Sequence, residues 1–508
     1  MTLLVGLFLA WLSNKLLIDE VVKRATTRIY APLLSLNYSD AGQRAITVIT
    51  LDDRDLKEYG LNWPVPLDYY QRMLDRVVKR KPKAVFLDVL FLDDKPKREV
   101  ESLIGAACRA TNEGIPFFLA TFALESLSSN SERQLFAART ASGVPCVIAV
   151  RANVTPDTLD QSQWAYPLRP LNSNENKENT AIPGSVALSI YCRLYPSTCP
   201  AKTEVPLALI WATKAAPTNA PTMVVRSQEG KLTAVCREIW NWWEVIPGAV
   251  LFRQIANLPL LPLCPYNQVI PARAFKNFGF TTDQLDKELN DKVVMIGVDL
   301  KAIGDNLFSP LHGRLPGVHV HAMALDNLIS FEGKYRENGD FERHELWHSS
   351  SNVFIFLSLL LTALVMVLWN RYKKHLTASA SSSEPAPIAA SSAGYSAKFF
   401  MILCSPFMLI LGGPWFGAKR KSAIEILLPF SHLLVYLVLG VTIFYIGYYV
   451  FLQGPLAIIE YVMFPVMAHF LHLGESIAKR SKNLWEALNT KEPWNHWALL
   501  DTKEQNNQ

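Results

Sequence analysis

Two short apolar runs that end in aspartates decide the fold: AITVITLDD at residues 45–53 and AVFLDVLFLDD at residues 84–94. Both are rich in β-branched or aliphatic residues, which is typical of buried strands. Between them, the stretch PLDYYQRMLDRVVKRK at residues 66–81 places Tyr70 and Leu74 at helical spacing. A strand, a helix and a second strand therefore open the domain.

The buried-strand pattern recurs further along the chain, at IPFFLATF (115–122), VPCVIAV (144–150) and KVVMIGVDL (292–300). A helical stretch at 99–113 precedes the first of these. Strands that alternate with helices predict an α/β domain with a mainly parallel sheet and covering helices. Residues 155–265 are rich in Pro, Asn, Trp and Cys, and we interpret them as a long insertion.

Composition excludes two broad classes of protein. Half of the 508 residues are hydrophobic, 19% are charged, and the formal net charge is +5. This balance argues against both a disordered chain and a nucleic-acid-coating protein, so we expect no nucleic-acid partner. The mean hydropathy of +0.13 and the 25 Phe indicate that part of the chain lies in a membrane.

Apolar segments lie at both ends of the chain and predict a multi-pass topology. We assign residues 1–18 to an uncleaved signal anchor and residues 19–350 to the extracytoplasmic domain. The later segments are a transmembrane helix at 353–369, a cytoplasmic linker at 370–398, a re-entrant or interfacial segment at 399–417, transmembrane helices at 426–452 and 456–473, and a cytoplasmic tail at 474–508. Basic residues follow the first and last of these spans, which places both termini in the cytoplasm. Whether residues 399–417 cross the membrane stays open.

Six of the seven cysteines lie in the predicted extracytoplasmic region, and an even number there favours disulfides. They are Cys108, Cys146, Cys192, Cys199, Cys236 and Cys264. Among the possible disulfides, Cys192–Cys199 is the pair we expect most strongly, and Cys236–Cys264 ranks second. Six free thiols in a cytosolic domain are the alternative.

The two ends of the globular region resemble a known family. The stretches ITVITLDDRDLKEYGLNWPVPLDYYQRMLDRVVKRKPKAVFLDVLF (46–91) and DKVVMIGVDLKAIGDNLFSPLHGRLPGVHVHAMALDNLIS (291–330) are similar to the two ends of the CHASE type 2 domain. The resemblance covers roughly residues 20–335. It implies a bacterial sensory module outside the inner membrane, followed by membrane helices and a cytoplasmic output domain. We expect no such output domain in the tail, which is too short to form one.

Polar residues at the strand ends are the candidate binding site, because ligands of parallel sheets bind beyond the carboxyl ends of the strands. The candidates are Asp52, Asp53, Asp88, Asp305, His319 and His321. Carboxylates with imidazoles can bind a cationic ligand, a metal or a proton. Helix capping and loop hydrogen bonds are the alternative role. Because the spacing matches no complete metal motif, we predict neither a metal nor a cofactor.

A short motif introduces an enzyme as a minor alternative. His344, Glu345 and His348 spell HELWH, the spacing at which two imidazoles bind zinc beside a general-base glutamate. The motif comes directly before a predicted span, and no third ligand follows at a suitable spacing. We expect a juxtamembrane helix here and no enzyme activity.

Four ionisable residues lie within the predicted spans, where burial in hydrocarbon is costly. They are His432, Glu460, His469 and His472. A proton relay and hydrogen bonding between helices are both open for them.

The sequence therefore predicts a membrane-anchored sensor or receptor subunit that passes its state to a separate cytoplasmic or membrane partner protein. A homo-oligomer is compatible with this interpretation. A structural scaffold of an envelope complex is the alternative, and a membrane zinc peptidase is the lesser one.

Overall fold

The computed structural model describes the globular part of the chain. The described residues are 38–122, 129–169, 184–201, 205–214, 263–276, 280–300 and 305–336, with shorter pieces at 24, 28, 31–32, 35, 203, 216, 224–226, 232–234 and 236. All of them belong to one compact unit within residues 20–345. The predicted membrane segments, the linker, the tail, the HELWH motif and the four intramembrane residues lie outside these ranges.

In the described part of the chain, six strands form one sheet: β1 (Ile46–Asp52), β2 (Ala84–Leu87), β3 (Phe117–Thr121), β4 (Ile148–Arg151), β9 (Gln268–Pro271) and β10 (Val293–Asp299). Their order in the sheet is β4-β3-β2-β10-β1-β9, and every neighbouring pair is parallel. Three two-stranded sheets are added by β5 (Ala165–Tyr166) with β6 (Leu207–Ala208), β7 (Val224–Arg226) with β8 (Leu232–Ala234), and β11 (Asn306–Ser309) with β12 (Gly313–Pro316).

Eight α-helices are described around these strands. They are α1 (Ala41–Ala45), α2 (Asp53–Tyr59), α3 (Leu67–Val78), α4 (Lys97–Asn112), α5 (Asn130–Ala137), α6 (Val186–Leu194), α7 (Thr282–Leu289) and α8 (Gly317–Ser330). Two 3₁₀ segments lie at Pro196–Thr198 and Ala272–Lys276.

Both faces of the sheet are covered, as continuous apolar strands require. Along β1, Ile49 and Leu51 point into a core shared with α3, α4, α5 and α7. Ile46 and Val48 point to the opposite face, where α6 and α8 pack. The predicted α/β domain with a parallel sheet and covering helices is confirmed.

The cysteines of the globular region are paired. Cys108 with Cys146 joins α4 to the residues before β4, and their Cα atoms lie 4.5 Å apart. The other two disulfides are Cys192–Cys199 and Cys236–Cys264, the two pairs expected from the sequence. The alternative of six free thiols is wrong.

No helix among the described residues is both long and apolar enough to span a membrane.

Candidate functional site

The chain leaves the neighbouring strands β2 and β10 toward opposite faces of the sheet, and we call the position between their carboxyl ends the crevice. After β2 the chain continues to α4 on one face, and after β10 it passes through the β11/β12 hairpin to α8 on the other. Such a divergence at the carboxyl ends is where open α/β sheets bind ligands. Asp88 follows β2 directly, and Asp305 lies in the connection after β10.

His321 of α8 faces Asp88 across this crevice. The Nε2 atom of His321 and the Oδ2 atom of Asp88 are 4.0 Å apart, which is too long for a hydrogen bond. The two side chains are only 3% and 11% exposed. The imidazole is held edge-on by the Phe86 ring of β2 and the Tyr166 ring of β5. The fold therefore brings together Asp88 and His321, two residues predicted for the site that are 233 positions apart in the sequence.

Tyr166 is the hydrogen-bond partner of His321 on the side away from Asp88. The Tyr166 hydroxyl lies 2.8 Å from Nδ1 of His321, and it accepts a bond from the Ala187 backbone N–H at 3.3 Å. Its own proton is then free to be donated to Nδ1. When the hydroxyl donates to Nδ1, the imidazole proton sits on Nε2, the nitrogen that faces Asp88.

Burial favours the uncharged form of each group in the crevice. It raises the pKa of Asp88 well above its usual value, and the nearby Asp305 carboxylate raises it further. Burial likewise raises the pKa of Asp305, and it lowers the pKa of His321 to about 3. The crevice therefore contains carboxyl groups that hold protons more tightly than usual beside a neutral imidazole.

A glycine in β10 allows α8 to lie on the sheet at this point. A Cβ atom at Gly297 would come within 2.5 Å of the Val318 side chain, so any larger residue would force α8 and β10 to shift. The first turn of α8 is fixed further by Gly317, whose N–H donates to the backbone oxygen of Asp305 at 3.1 Å. These contacts set the position of His321. Neither glycine nor Tyr166 is predicted from the sequence, because their roles depend on contacts across the fold.

Asp52 lies in a different arrangement, one strand further along the sheet. Its side chain caps α2 through a capping box with Asp55 and forms an ion pair of 2.8 Å with Arg273. Burial acts to raise the pKa of Asp52, but Arg273 and the Asp55 N–H lower it overall. Asp53 is exposed. For Asp52 the structure therefore provides the capping role that the sequence left open.

Asp55 and Arg273 are the polar residues at this edge that sequence reasoning missed. Asp55 is fully buried and lies 3.2 Å from the Arg273 guanidinium. Burial raises the pKa of Asp55 to about 6.

His319, two residues before His321 on α8, is buried and lies near His312. Burial lowers the pKa of His319 to about 3, with a smaller contribution from His312. His312 lies between two backbone carbonyls, with Nδ1 2.9 Å from the oxygen of Cys264 and Nε2 2.8 Å from that of Ala212. These contacts tie the β11/β12 connection to the residues between β4 and β9.

Within the described ranges, no group of three or more His, Cys, Asp or Glu side chains is placed to hold a metal ion. At the crevice the Asp88 and Asp305 carboxyl groups lie near enough for the charge of Asp305 to raise the pKa of Asp88, an arrangement that favours a proton or a cationic group.

The fold and the site define the class of protein: a three-layer α/β domain with a polar crevice at its strand ends. The chain belongs to the CHASE2 domain family, whose family model matches residues 1–365. This match confirms the family expected from the sequence. CHASE2 domains are extracytoplasmic and sensory, which is compatible with a protein that is not an enzyme. Neither the curated proteins nor the solved structures include a match.

Proposed function

We propose that the protein is a membrane-anchored sensor subunit whose extracytoplasmic domain responds to a cationic ligand or a proton in the crevice of Asp88, Asp305 and His321. Its state passes through the membrane helices predicted from the sequence to a separate partner protein. The proposal is supported above all by Asp88, a nearly buried carboxyl group beside a second one at the strand ends. Two carboxyl groups so placed are costly when ionised, and a bound cation or proton offsets that cost.

Asp88→Asn tests this proposal because it removes the charge and keeps the shape. We expect methylammonium, Mg²⁺ or mild acid to raise the melting temperature of the full-length native protein in detergent. A ligand at one hundred times its Kd stabilises the folded state by about 2.7 kcal/mol, which is a readily measured shift. The Asp88→Asn protein should lose the response to the effective probe.

Asp53→Asn is the matched control, since Asp53 is also an aspartate at the strand ends but is exposed. It should keep the native response to every probe. If native protein and Asp88→Asn respond identically to both cations and across pH, the crevice is architecture and the proposed sensory site is wrong.

The scaffold alternative has one observation in its favour. Leu92 and Phe122, which follow β2 and β3 at this same edge of the sheet, are 51% and 49% exposed. Large apolar side chains at a surface often belong to an interface with another protein. Copurification of the tagged full-length protein separates the two functions, because a scaffold should retain its partners at any pH and cation concentration, whereas a sensor should not.

A further inference from the structure

A second buried carboxylate, Asp326 near the end of α8, lies outside the crevice and accepts hydrogen bonds from three parts of the chain. The Tyr38 hydroxyl donates to Oδ1 at 2.8 Å, and the Ser330 hydroxyl donates to the same oxygen at 3.2 Å. The Asn267 amide donates to Oδ2 at 3.0 Å. Asp326 itself is 0% exposed. The carboxylate thus links α8 to the residues before β1 and to those before β9.

The neighbouring residue extends this link. The Asn327 amide donates to the Tyr38 hydroxyl at 2.8 Å and to the Ile210 carbonyl at 3.1 Å, and its oxygen accepts the Ile210 N–H. The Tyr38 ring packs edge-on against Phe331, with 5.7 Å between ring centres. Gly42 of α1 lies so close to the Asp326 carboxyl that an added Cβ atom would overlap it. Tyr38 and α1 are therefore fastened to the end of α8 at several points.

The Asp326 network lies where the chain enters the domain and where its last described helix ends. Tyr38 begins the first long described stretch and follows the predicted anchor at residues 1–18. Helix α8 is the last described helix, and it precedes the apolar segment at residues 353–369. The Asp326 network consequently joins the chain that enters the domain to the helix that leads out of it.

Asp326 is the group in the network that titrates near neutral pH. Burial raises its pKa to about 7 against hydrogen bonds that lower it, and the charge of Asp40 raises it further. The other titratable or charged groups that face it are Tyr38, Tyr266 and the exposed Asp40–Arg44 ion pair. Burial raises the pKa of both tyrosines, so they stay protonated across the neutral range.

We propose that Asp326 is a proton-controlled latch that fastens the chain entering the domain to the helix leaving it. When the latch opens, the carboxyl group is exposed to water and its pKa returns to the ordinary value of 3.8. Between that value and about 7 the closed form binds the proton and the open form does not. The closed latch is therefore favoured in mild acid, loses this advantage as the pH rises toward 7, and changes little above it. The latch does not depend on a ligand in the crevice.

Hydrogen exchange of the full-length protein in detergent, read by mass spectrometry, measures this opening locally. After correction for the intrinsic exchange rate, we expect protection of peptides covering residues 38–45 and 322–331 to fall about 30-fold between about pH 5.5 and about pH 8. The peptide of α3, on the other face of the sheet, is the internal control. The Asp326→Asn protein should show equal protection at both pH values, because its amide does not titrate.

Two further variants keep the test decisive if Asp326→Asn fails to fold. Asp40→Asn removes an exposed charge that raises the pKa of Asp326, so it should retain the pH dependence with a midpoint at slightly lower pH. Tyr38→Phe removes a hydrogen bond that lowers the pKa of Asp326, so the midpoint should move to higher pH. Protection that does not vary with pH in the native protein, or a Tyr38→Phe profile that coincides with the native one, would overturn the proposal.

Discussion

Replacement of Gly297 by Ala adds a single methyl group where the central strand β10 meets the first turn of α8. An ideal Cβ atom at this position lies 2.5 Å from both Cβ and Cγ1 of Val318. Non-bonded carbon atoms prefer separations of about 3.5–4.0 Å, so the helix and the strand must separate by roughly 1 Å. Val318 is 0% exposed and β10 is paired on both sides, so neither partner can yield freely.

The expected cost follows from these constraints. Overpacking of a well-packed core costs about 1–3 kcal/mol, and this contact belongs at the upper end of that range. Alanine also restricts the backbone of the unfolded chain, which stabilises the folded state by about 0.4–1 kcal/mol and offsets part of this cost. The net destabilisation of about 2 kcal/mol should lower the melting temperature by roughly 3–6 °C.

Gly105→Ala is the matched control for this change. Gly105 lies within α4, where an added Cβ atom would come no closer than 3.5 Å to the flexible Arg109 side chain. Alanine is favoured over glycine inside a helix by roughly 0.5–1 kcal/mol, so this variant should be more stable than the native protein. Thermal unfolding of both full-length variants by circular dichroism measures the difference. If Gly297→Ala is as stable as the native protein or more stable, the close packing of α8 on β10 is refuted.

Two other predictions concern the cysteines and the HELWH motif. In the chain-entropy model, replacing Cys108 and Cys146 by Ala opens a 38-residue loop and should lower the free energy of unfolding by about 4 kcal/mol. Replacing Cys192 and Cys199 opens a 7-residue loop and should lower it by about 2 kcal/mol. Denaturant unfolding of the two double variants measures the ranking, and the reverse order would contradict it. Glu345→Gln should keep the cellular phenotype of the native chain, and metal analysis should find no stoichiometric zinc; one zinc per chain would favour the peptidase instead.

Local pattern was enough to predict the fold class. The strands at 46–52, 117–121 and 293–299 were expected because each is a short apolar run bounded by turn residues or helix starts. Strand β2 ends at Leu87, several residues before its apolar run does. The run continues because residues such as Phe91 pack into the core without pairing in the sheet. Strand β9 was missed, since four residues carry too little signal and pairing with β1 makes them a strand.

The strand order is what the tertiary structure alone decided. Because β10 inserts between β1 and β2, Asp52 and Asp88 are separated by two strand spacings, about 9–10 Å along the sheet. Asp52 is thereby left to cap α2 beside Arg273, while Asp88 meets His321.

The sequence by itself determined the parallel α/β domain and its family, because these depend on periodicity and on motifs that neighbouring residues carry. It suggested two disulfide pairs, but the pairing itself is given by the tertiary structure. It also named Asp88 and His321, but not the contact between them. Tyr166, Gly297 and Asp326 acquire their roles through partners more than twenty positions away in the chain. Burial then shifts the pKa of a carboxyl group by an amount that its immediate neighbours in sequence do not encode, because the effect comes from the exclusion of water by the whole fold.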